Sequence, residues 1–271
     1  MALSVGPRGA ASNKGWKVPR LVAIVCLAAA FALAAQTALT AGFRGGLWTV
    51  VRTCVANHAL TGAAFPCLEV NVADGDERGY VVLRPPLGKP DLVLAPTRPI
   101  VGVEDPTLQT LEAPNYFEDA WNARAFLPHE RLKPLAHDDV ALAVNSRYSR
   151  TQDQLHIHIG CLSRREKQTL QALAPELPEN RWVRIGTPLH GLRFSGRRVA
   201  QDTLAGVNPF RLAAEGLPDQ SRDRSRLMIV VAGVQLADGR GGFVVLASHD
   251  DPNDTVDQFA AEDFLAHWCS S

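Results

Sequence analysis

The sequence lacks an excess of charge of either sign: 28 basic and 28 acidic residues give its 271 residues zero formal net charge. A neutral chain exerts no long-range attraction on nucleic acid or acidic lipid. Lysine is scarce, with 5 residues against 23 arginines. Arginine suits bidentate phosphate binding, although a genome's base composition can produce the same bias. Because no internal repeat or low-complexity linker divides the chain, we predict one domain of about 230 residues after the N-terminal segment.

The N-terminal segment combines basic residues with a long apolar run. Four basic residues and no acidic one precede an apolar stretch that extends from residue 21 to residue 41. Such a run is about as long as the ~20 residues that a helix needs to cross a bilayer, and the basic flank is typical of a signal anchor. We therefore predict a cytoplasmic basic tail at 1–20, a transmembrane signal anchor at 21–41 and an exported domain at 45–271. Cleavage near residues 38–42 is the alternative.

The cysteine distribution agrees with export. Cys26 lies inside the apolar run, and an even set of four cysteines lies in the predicted exported domain. Four cysteines allow three pairings. Cys54 and Cys67 flank a short loop rich in Gly, Ala and Pro, which favours a disulfide between them and hence a second one between Cys161 and Cys269. Free buried thiols are the alternative, although an oxidising compartment disfavours them.

Apolar periodicity and turn residues predict a mixture of helices and antiparallel strands. In the first half, two strand pairs enclose a helix, and a later hairpin is marked by the turn Asp-Gly-Arg-Gly-Gly. This order indicates an α+β fold in which helices pack on an antiparallel sheet. The predicted helices lie at 42–60, 113–127, 165–174 and 255–269, the predicted strands at 79–86, 91–100, 139–147 and 151–162, and the predicted hairpin at 226–249.

Two histidines in the segment TQDQLHIHIGC (151–161) carry the strongest chemical signal in the chain. Because side chains alternate along a strand, Gln154, His156 and His158 share one face, and the aliphatic residues between them share the other. We expect the apolar face to pack under a helix and the polar face to look outward. A core histidine is more often alone among apolar residues, so this alternation favours a functional pair.

One interpretation makes His156 and His158 zinc ligands, in a non-catalytic zinc-binding envelope protein. Zinc needs a third protein ligand in a catalytic site or a fourth in a structural site. No candidate stands at a spacing that marks it out, and no acidic metal cluster is apparent in the sequence. The possible additional donors are His58, His129, His137, His190, Asp153 and Cys161.

The other interpretation makes one imidazole a nucleophile at a phosphoryl centre, with the second imidazole handling charge. The turn that precedes the histidines offers amide, guanidinium and hydroxyl donors, which together form a phosphate-binding environment rather than a metal cage. These candidate phosphate-binding residues are Asn145, Arg147, Ser149, Arg150 and Thr151.

These residues resemble a known superfamily. QLHIHIG is similar to the histidine-triad signature of the HIT superfamily of nucleotidyl hydrolases and transferases, His-φ-His-φ-His-φ-φ with φ hydrophobic, and LAPTRPI resembles a segment of its preceding strand. Within that superfamily, AVNSRYSRTQDQLHIHIGC (143–161) resembles the CDP-diacylglycerol pyrophosphatase family. The resemblance covers roughly residues 45–271 and implies a HIT-like sheet with helices packed on it. Its departure is Gln154, which stands where the triad begins with histidine.

The resemblance implies hydrolysis of the lipid CDP-diacylglycerol to CMP and phosphatidate. We expect no cofactor and assign no metal ligand, and the sequence does not decide whether a divalent cation assists. His156 would attack the α-phosphorus, oriented by a backbone carbonyl near the first triad position, and His158 would stabilise the phosphoryl oxygens or protonate the leaving group. Gln154 would bind the phosphate or a neighbour. The enzyme would be anchored in the inner membrane with its catalytic domain in the periplasm. A hydrolase or transferase for other nucleotide pyrophosphates is the alternative.

Overall fold

Nine strands in the described part of the chain form one sheet in which every pairing is antiparallel. The sheet belongs to a computed structural model that describes residues 44–85, 91–127, 135–217, 223–249, 259–266 and 269. In chain order the strands are β1 (Glu69–Asn71), β2 (Tyr80–Leu83), β3 (Leu92–Pro96), β4 (Val140–Val144), β5 (Ile157–Cys161), β6 (Val183–Arg184), β7 (Ser195–Val199), β8 (Leu227–Gln235) and β9 (Gly241–His249). Across the sheet their order is β1-β2-β3-β5-β4-β8-β9-β7-β6.

Four α-helices and several short 3-10 turns complete the described structure. The helices are α1 (Gly46–Thr61), α2 (Tyr116–Ala123), α3 (Arg164–Leu173) and α4 (Pro209–Gly216). Ser163 caps α3 by accepting from the backbone N–H of Glu166, and Asn208 caps α4 in the same way through Phe210. The N-terminus of α1 is capped by a distant side chain, because Oε1 of Gln152 accepts from the Leu47 N–H at 2.8 Å.

The two faces of the sheet bury different sets of residues. One face packs against α2 and α4 and contains the aliphatic side chains of β5, Ile157 and Ile159. The opposite face carries two clusters, one under α1 with Val93 of β3 and one under α3 with Ala143 of β4. The helix predicted to cover the apolar face of the histidine strand is therefore confirmed as α2.

Most predicted elements are confirmed. The predicted strands at 79–86 and 91–100 form the antiparallel pair β2–β3, and those at 139–147 and 151–162 form the pair β4–β5. The hairpin is β8–β9, with Gly239 of its turn at φ 82, a conformation that glycine adopts without strain. The α+β class is confirmed, whereas β1, β6, β7 and α4 were not predicted.

Two predictions about local structure are wrong. The strand predicted at 151–162 is ordered as strand only over Ile157–Cys161, because the residues before it bond to the bend after β3: the Leu155 N–H donates to Ile100 at 2.6 Å. The helix predicted at 255–269 is absent from its described part, 259–266, which forms the 3-10 turn Ala261–Phe264. There Leu265 forms a β-bridge with Leu162 instead of extending a helix.

The predicted tail at 1–20 and the predicted anchor at 21–41 lie outside the described residues. Among the residues that are described, none belongs to a helix with the length and apolar character needed to cross a bilayer. The described residues all belong to the compact unit Arg44–Ser271.

Both predicted disulfides are confirmed. Cys54 is bonded to Cys67 across a separation of 13 residues, which joins α1 to the loop before β1. Cys161 is bonded to Cys269 across 108 residues, which ties β5 to the segment after β9. The alternative of free buried thiols at these four positions is therefore wrong.

Candidate active site

The two histidines lie at the centre of the sheet, where β5 runs between β3 and β4. His158 is directly opposite Val93 on one neighbour and Ala143 on the other. Directly opposite residues of antiparallel strands share a face, so His158 projects into the seam between the cluster under α1 and the cluster under α3. His156 precedes β5, and its ring centroid is 5.0 Å from that of His158.

The polar face of this segment is buried, which corrects the expectation that it looks outward. Relative exposures are 1% for Gln154, 8% for His156 and 7% for His158. The turn Ala261–Phe264 brings Glu262 against His158, and α1 packs on the same side of the sheet in the cluster that contains Val93. Neither element could be located from the alternation of side chains. The pair is therefore buried and is not a surface patch.

The tautomer of His156 follows from its hydrogen bond. Nδ1 lies 2.6 Å from the backbone carbonyl oxygen of Gln154. Because a carbonyl can only accept, the Nδ1–H donates and Nε2 of the neutral ring keeps its lone pair. Burial, followed by the nearby positive charge of His158, lowers the pKa of His156 to about 4. His156 is therefore neutral at pH 7, and Nε2 is the ring nitrogen that keeps its lone pair.

His158 lies between two carboxylates. Its Nδ1 is 3.3 Å from Oδ2 of Asp91, and its Nε2 is 2.6 Å from Oε2 of Glu262. Burial by itself lowers the pKa of His158, but the two carboxylates outweigh burial and raise it to about 9. The site thus combines a neutral imidazole and an imidazolium cation on the same face of one strand segment.

Glu262 is held in place by the elements around it. Its backbone N–H donates to Oδ1 of Asn145 at 3.3 Å, and Nδ2 of Asn145 donates to Oε2 of Glu262 at 3.3 Å. Ala261 and Phe264 on either side of it are buried in the cluster under α3. Gly160 of β5 makes room for this segment, since a Cβ there would lie 3.1 Å from the Leu265 side chain.

The turn predicted to bind phosphate has a defined internal structure. Asn145 is buried and faces the histidine pair through Glu262, whereas Arg147 and Thr151 are exposed. Ser149 is partly buried, and its hydroxyl lies 3.0 Å from that of Ser146. The structure therefore brings Asn145 to the site directly and leaves the guanidinium of Arg147 at the surface of the turn.

Arg150 is engaged in a buried ion-pair network. Its guanidinium makes two hydrogen bonds to Glu104, at 2.7 and 2.8 Å, and two to Asp153 at 3.3 Å. Arg44 binds the same Asp153 through both carboxylate oxygens at 2.7 Å. These contacts account for the low exposure of Arg150, 4%, and they hold the turn against the start of α1. Phosphate binding by Arg150 remains a prediction.

Gln154 fixes the backbone in front of the histidines. Its side-chain amide donates to the carbonyls of Pro96 and Arg98, both at 3.0 Å. The bend that follows β3 is thereby joined to the segment that carries the carbonyl partner of His156. The backbone carbonyl of Gln154 is the group expected to orient the nucleophile. A role for the Gln154 side chain in phosphate binding remains a prediction.

The additional donors considered for zinc are dispersed or otherwise bonded. Cys161 forms a disulfide, Asp153 pairs with two arginines, Nε2 of His137 lies 2.8 Å from the Gly242 carbonyl, and His190 pairs with Glu166. His129 lies outside the described residues. Across the described ranges, no group of three or more His, Cys, Asp or Glu side chains is arranged to hold a metal ion.

Sequence reasoning did not identify the two carboxylates. Asp91 had a usable signal, because it stands two residues before Val93, whose side chain shares a face with His158. Glu262 had none, since it follows Asn145 by 117 residues and lies in a segment predicted to be helical.

An enclosed pair of histidines, one neutral and one cationic, defines an enzyme site suited to a reaction at an anionic centre. Comparison with known proteins identifies the class further. The family model described as CDP-diacylglycerol pyrophosphatase matches residues 43–271. A protein of Yersinia pestis named CDP-diacylglycerol pyrophosphatase is 34% identical over 224 residues, which cover 82% of this chain and 83% of that protein. The chain belongs to the CDP-diacylglycerol pyrophosphatase family of hydrolases.

Proposed function

We propose that this protein hydrolyses the pyrophosphate bond of CDP-diacylglycerol and releases CMP and phosphatidate. Membership of the family and the name of the Yersinia pestis relative support the substrate. The observation that carries the reaction is the Nδ1 contact of His156 with the Gln154 carbonyl, since it leaves Nε2 with a free lone pair in an enclosed site.

In the first half of the proposed reaction, Nε2 of His156 attacks the α-phosphorus. A phosphorus–nitrogen bond forms, the bond from phosphorus to the bridging oxygen breaks, and phosphatidate leaves with the bonding electrons. The positive charge that develops on the ring is shared with the Gln154 carbonyl through Nδ1–H. His158 stabilises the negative charge on the phosphoryl oxygens or protonates the departing oxygen.

In the second half, water attacks the phosphorus of the cytidylyl-histidine intermediate. The phosphorus–nitrogen bond breaks, the electron pair returns to Nε2, and CMP leaves. The proton that water loses passes to His158 if His158 protonated phosphatidate in the first half, and to solvent if it did not. The neutral tautomer of His156 is thereby restored. Asn145 and the hydroxyl and guanidinium groups of the turn at 145–151 are proposed to bind the phosphates, and no step requires a cofactor.

A HIT-like arrangement is the proposed identity of the fold. The central strands β3, β5 and β4 with α2 packed on their apolar face support it. We also propose that residues 21–41 anchor the protein in the inner membrane, with the catalytic domain in the periplasm. The two disulfides are consistent with an oxidising compartment, and an anchor would raise the local concentration of enzyme and lipid substrate.

A trapping experiment tests the proposed mechanism. The full-length protein is incubated with CDP-diacylglycerol labelled in its cytidylyl phosphate and quenched in alkali, in which phosphohistidine survives. We expect label on His156 by peptide mapping, no label and no turnover in His156→Ala, and turnover reduced by about 10²-fold or more in His158→Ala. Turnover by a folded His156→Ala protein would refute the nucleophile. Equal hydrolysis of water-soluble CDP esters would refute the lipid specificity.

A further inference from the structure

Glu262 presents an anionic oxygen to two donors that are expected to receive the substrate's phosphate. Oε2 of Glu262 lies 2.6 Å from Nε2 of His158 and 3.3 Å from Nδ2 of Asn145. His158 was predicted to stabilise phosphoryl oxygens, and Asn145 was predicted to bind phosphate. An ion-pair partner, the His158 ring, and an amide donor, Asn145, therefore converge on a single carboxylate oxygen, as polar groups do around a bound oxyanion.

The charge balance of the site makes this contact important. His156 is neutral and His158 is a cation, whereas Asp91 and Glu262 each contribute a negative charge, so this group of four carries one net negative charge. The nearby guanidinium of Arg150 is already paired with Glu104 and Asp153. A phosphoryl oxygen of the substrate is itself anionic and would be repelled at this position by the Glu262 carboxylate.

The environment of Glu262 allows its carboxylate to leave without moving its backbone. The main chain is fixed by the Asn145 contact, by the buried neighbours Ala261 and Phe264, and by the bond from the Ala266 N–H to the Cys161 carbonyl at 2.6 Å. The Glu262 side chain, in contrast, is 23% exposed and has solvent beside it. A change of side-chain rotamer toward this solvent would vacate the position and leave the main chain in place.

We propose that Glu262 occupies, in the free enzyme, the position of a phosphoryl oxygen of the substrate, and that an anionic ligand binds by displacing this carboxylate from His158 and Asn145. The inference rests on the proposed function, because it takes His158 and Asn145 as the phosphate donors. It adds a residue outside the histidine motif that competes with the substrate for them. Asp91 remains in contact with His158 after the exchange and continues to stabilise the cation.

Direct binding measurements test the proposal independently of turnover. The affinities of the full-length protein for inorganic phosphate and for CMP are measured by calorimetry at pH 7, for the wild type and for Glu262→Gln and Glu262→Ala. Glutamine retains an oxygen acceptor without the charge, and alanine removes the competitor altogether. In the wild type, phosphate binds only after Glu262 has given up its contacts with His158 and Asn145. Because one such contact of a charged group corresponds to about a tenfold change in affinity, we expect phosphate to bind about tenfold more tightly to Glu262→Gln than to the wild type, and at least as tightly to Glu262→Ala.

The control is Glu176→Gln, which makes the same chemical change at an exposed residue and should leave both affinities unchanged. Phosphate affinity that stays the same or falls in both Glu262 variants would overturn the proposal. If turnover of CDP-diacylglycerol, measured alongside, also fell while the affinities stayed the same, Glu262 would be a proton-transfer group instead. A different result would separate this proposal from the proposed function. If both Glu262 variants bound phosphate more tightly but neither they nor the wild type bound CMP, the proposed nucleotide substrate would be wrong and the role of Glu262 would stand.

Discussion

Replacement of Asp91 by Asn tests whether the carboxylates around His158 set its charge. Asp91 is buried, and its Oδ2 lies 3.3 Å from Nδ1 of His158. Asparagine is nearly isosteric and still offers an oxygen acceptor to the Nδ1–H, so the substitution removes the negative charge while a hydrogen bond can persist. Glu262 remains on the other side of the ring as the second carboxylate.

The size of the effect can be bounded from this geometry. At 3.3 Å and an effective dielectric constant of about 20, the Coulomb attraction between unit charges is about 5 kcal/mol, which is an upper limit. The difference between a hydrogen bond to a charged group and one to a neutral group, about 1 kcal/mol, is a lower limit. Since about 1.4 kcal/mol corresponds to one pKa unit, we expect the pKa of His158 to fall from about 9 by about one unit or more.

Two measurements report this change. Titration of ¹⁵N-labelled histidine followed by NMR gives the midpoint for His158 directly, and the pH–rate profile of CDP-diacylglycerol hydrolysis should lose activity at a lower pH on its alkaline side. Asp202→Asn, at an exposed position, is the matched control. A His158 midpoint that does not move would refute the argument that Asp91 contributes to its charge.

Three further outcomes are expected. Histidine in the unfolded chain titrates near 6.5. Because the pKa of His158 is raised to about 9, stability should fall as the pH rises from 6.5 to 9, and because the pKa of His156 is lowered to about 4, stability should also fall as the pH drops from 6.5 to 4. A Tm that stays constant from pH 4 to 9 would contradict both expectations. Arg150→Met should lower the free energy of unfolding, measured by urea denaturation, by about 1–3 kcal/mol, because it leaves the partly buried carboxylate of Glu104 without its cation; a loss below about 0.5 kcal/mol would indicate a surface-like pair. Removal of the Cys161–Cys269 disulfide should destabilise the protein by about 2 kcal/mol more than removal of the other disulfide, since their separations are 108 and 13 residues; equal losses would show that loop entropy does not dominate.

The alternation of side chains predicted which residues would share a face, because that property depends on neighbouring positions alone. The aliphatic face of β5 under α2 follows from it. The pairing of β5 with β4 was predicted instead from two neighbouring strand candidates with a polar turn between them. Burial of the polar face does not follow from the alternation, since it involves elements that are distant in sequence, among them the turn of Glu262, which contacts Asn145 across 117 residues. Local pattern therefore identified His156 and His158, while their opposite protonation states depend on contacts that no local pattern contains.

The strands β6 and β7 illustrate a second limit. β7 contains Arg197 and Arg198 within SGRRV, and β6 has two residues, so neither shows a clear apolar alternation. β7 is ordered because it pairs with β9 over five positions, from Ser195 opposite Ala247 to Val199 opposite Phe243. Such a strand is stabilised by pairing with a strand that is distant in sequence, and the pattern of its own residues does not predict it.

The placement of Glu262 after β9 also bears on the order in which the protein folds. The chain up to His249 already contains all nine strands described, together with both histidines, Asn145 and Asp91. The carboxylate opposite His158 arrives 13 residues later, and the cysteine that bonds to Cys161 arrives after it. The sheet can thus form with His158 uncovered on the side that Glu262 later occupies. Oxidation of Cys161 with Cys269 would then secure the covering segment as a late event in maturation.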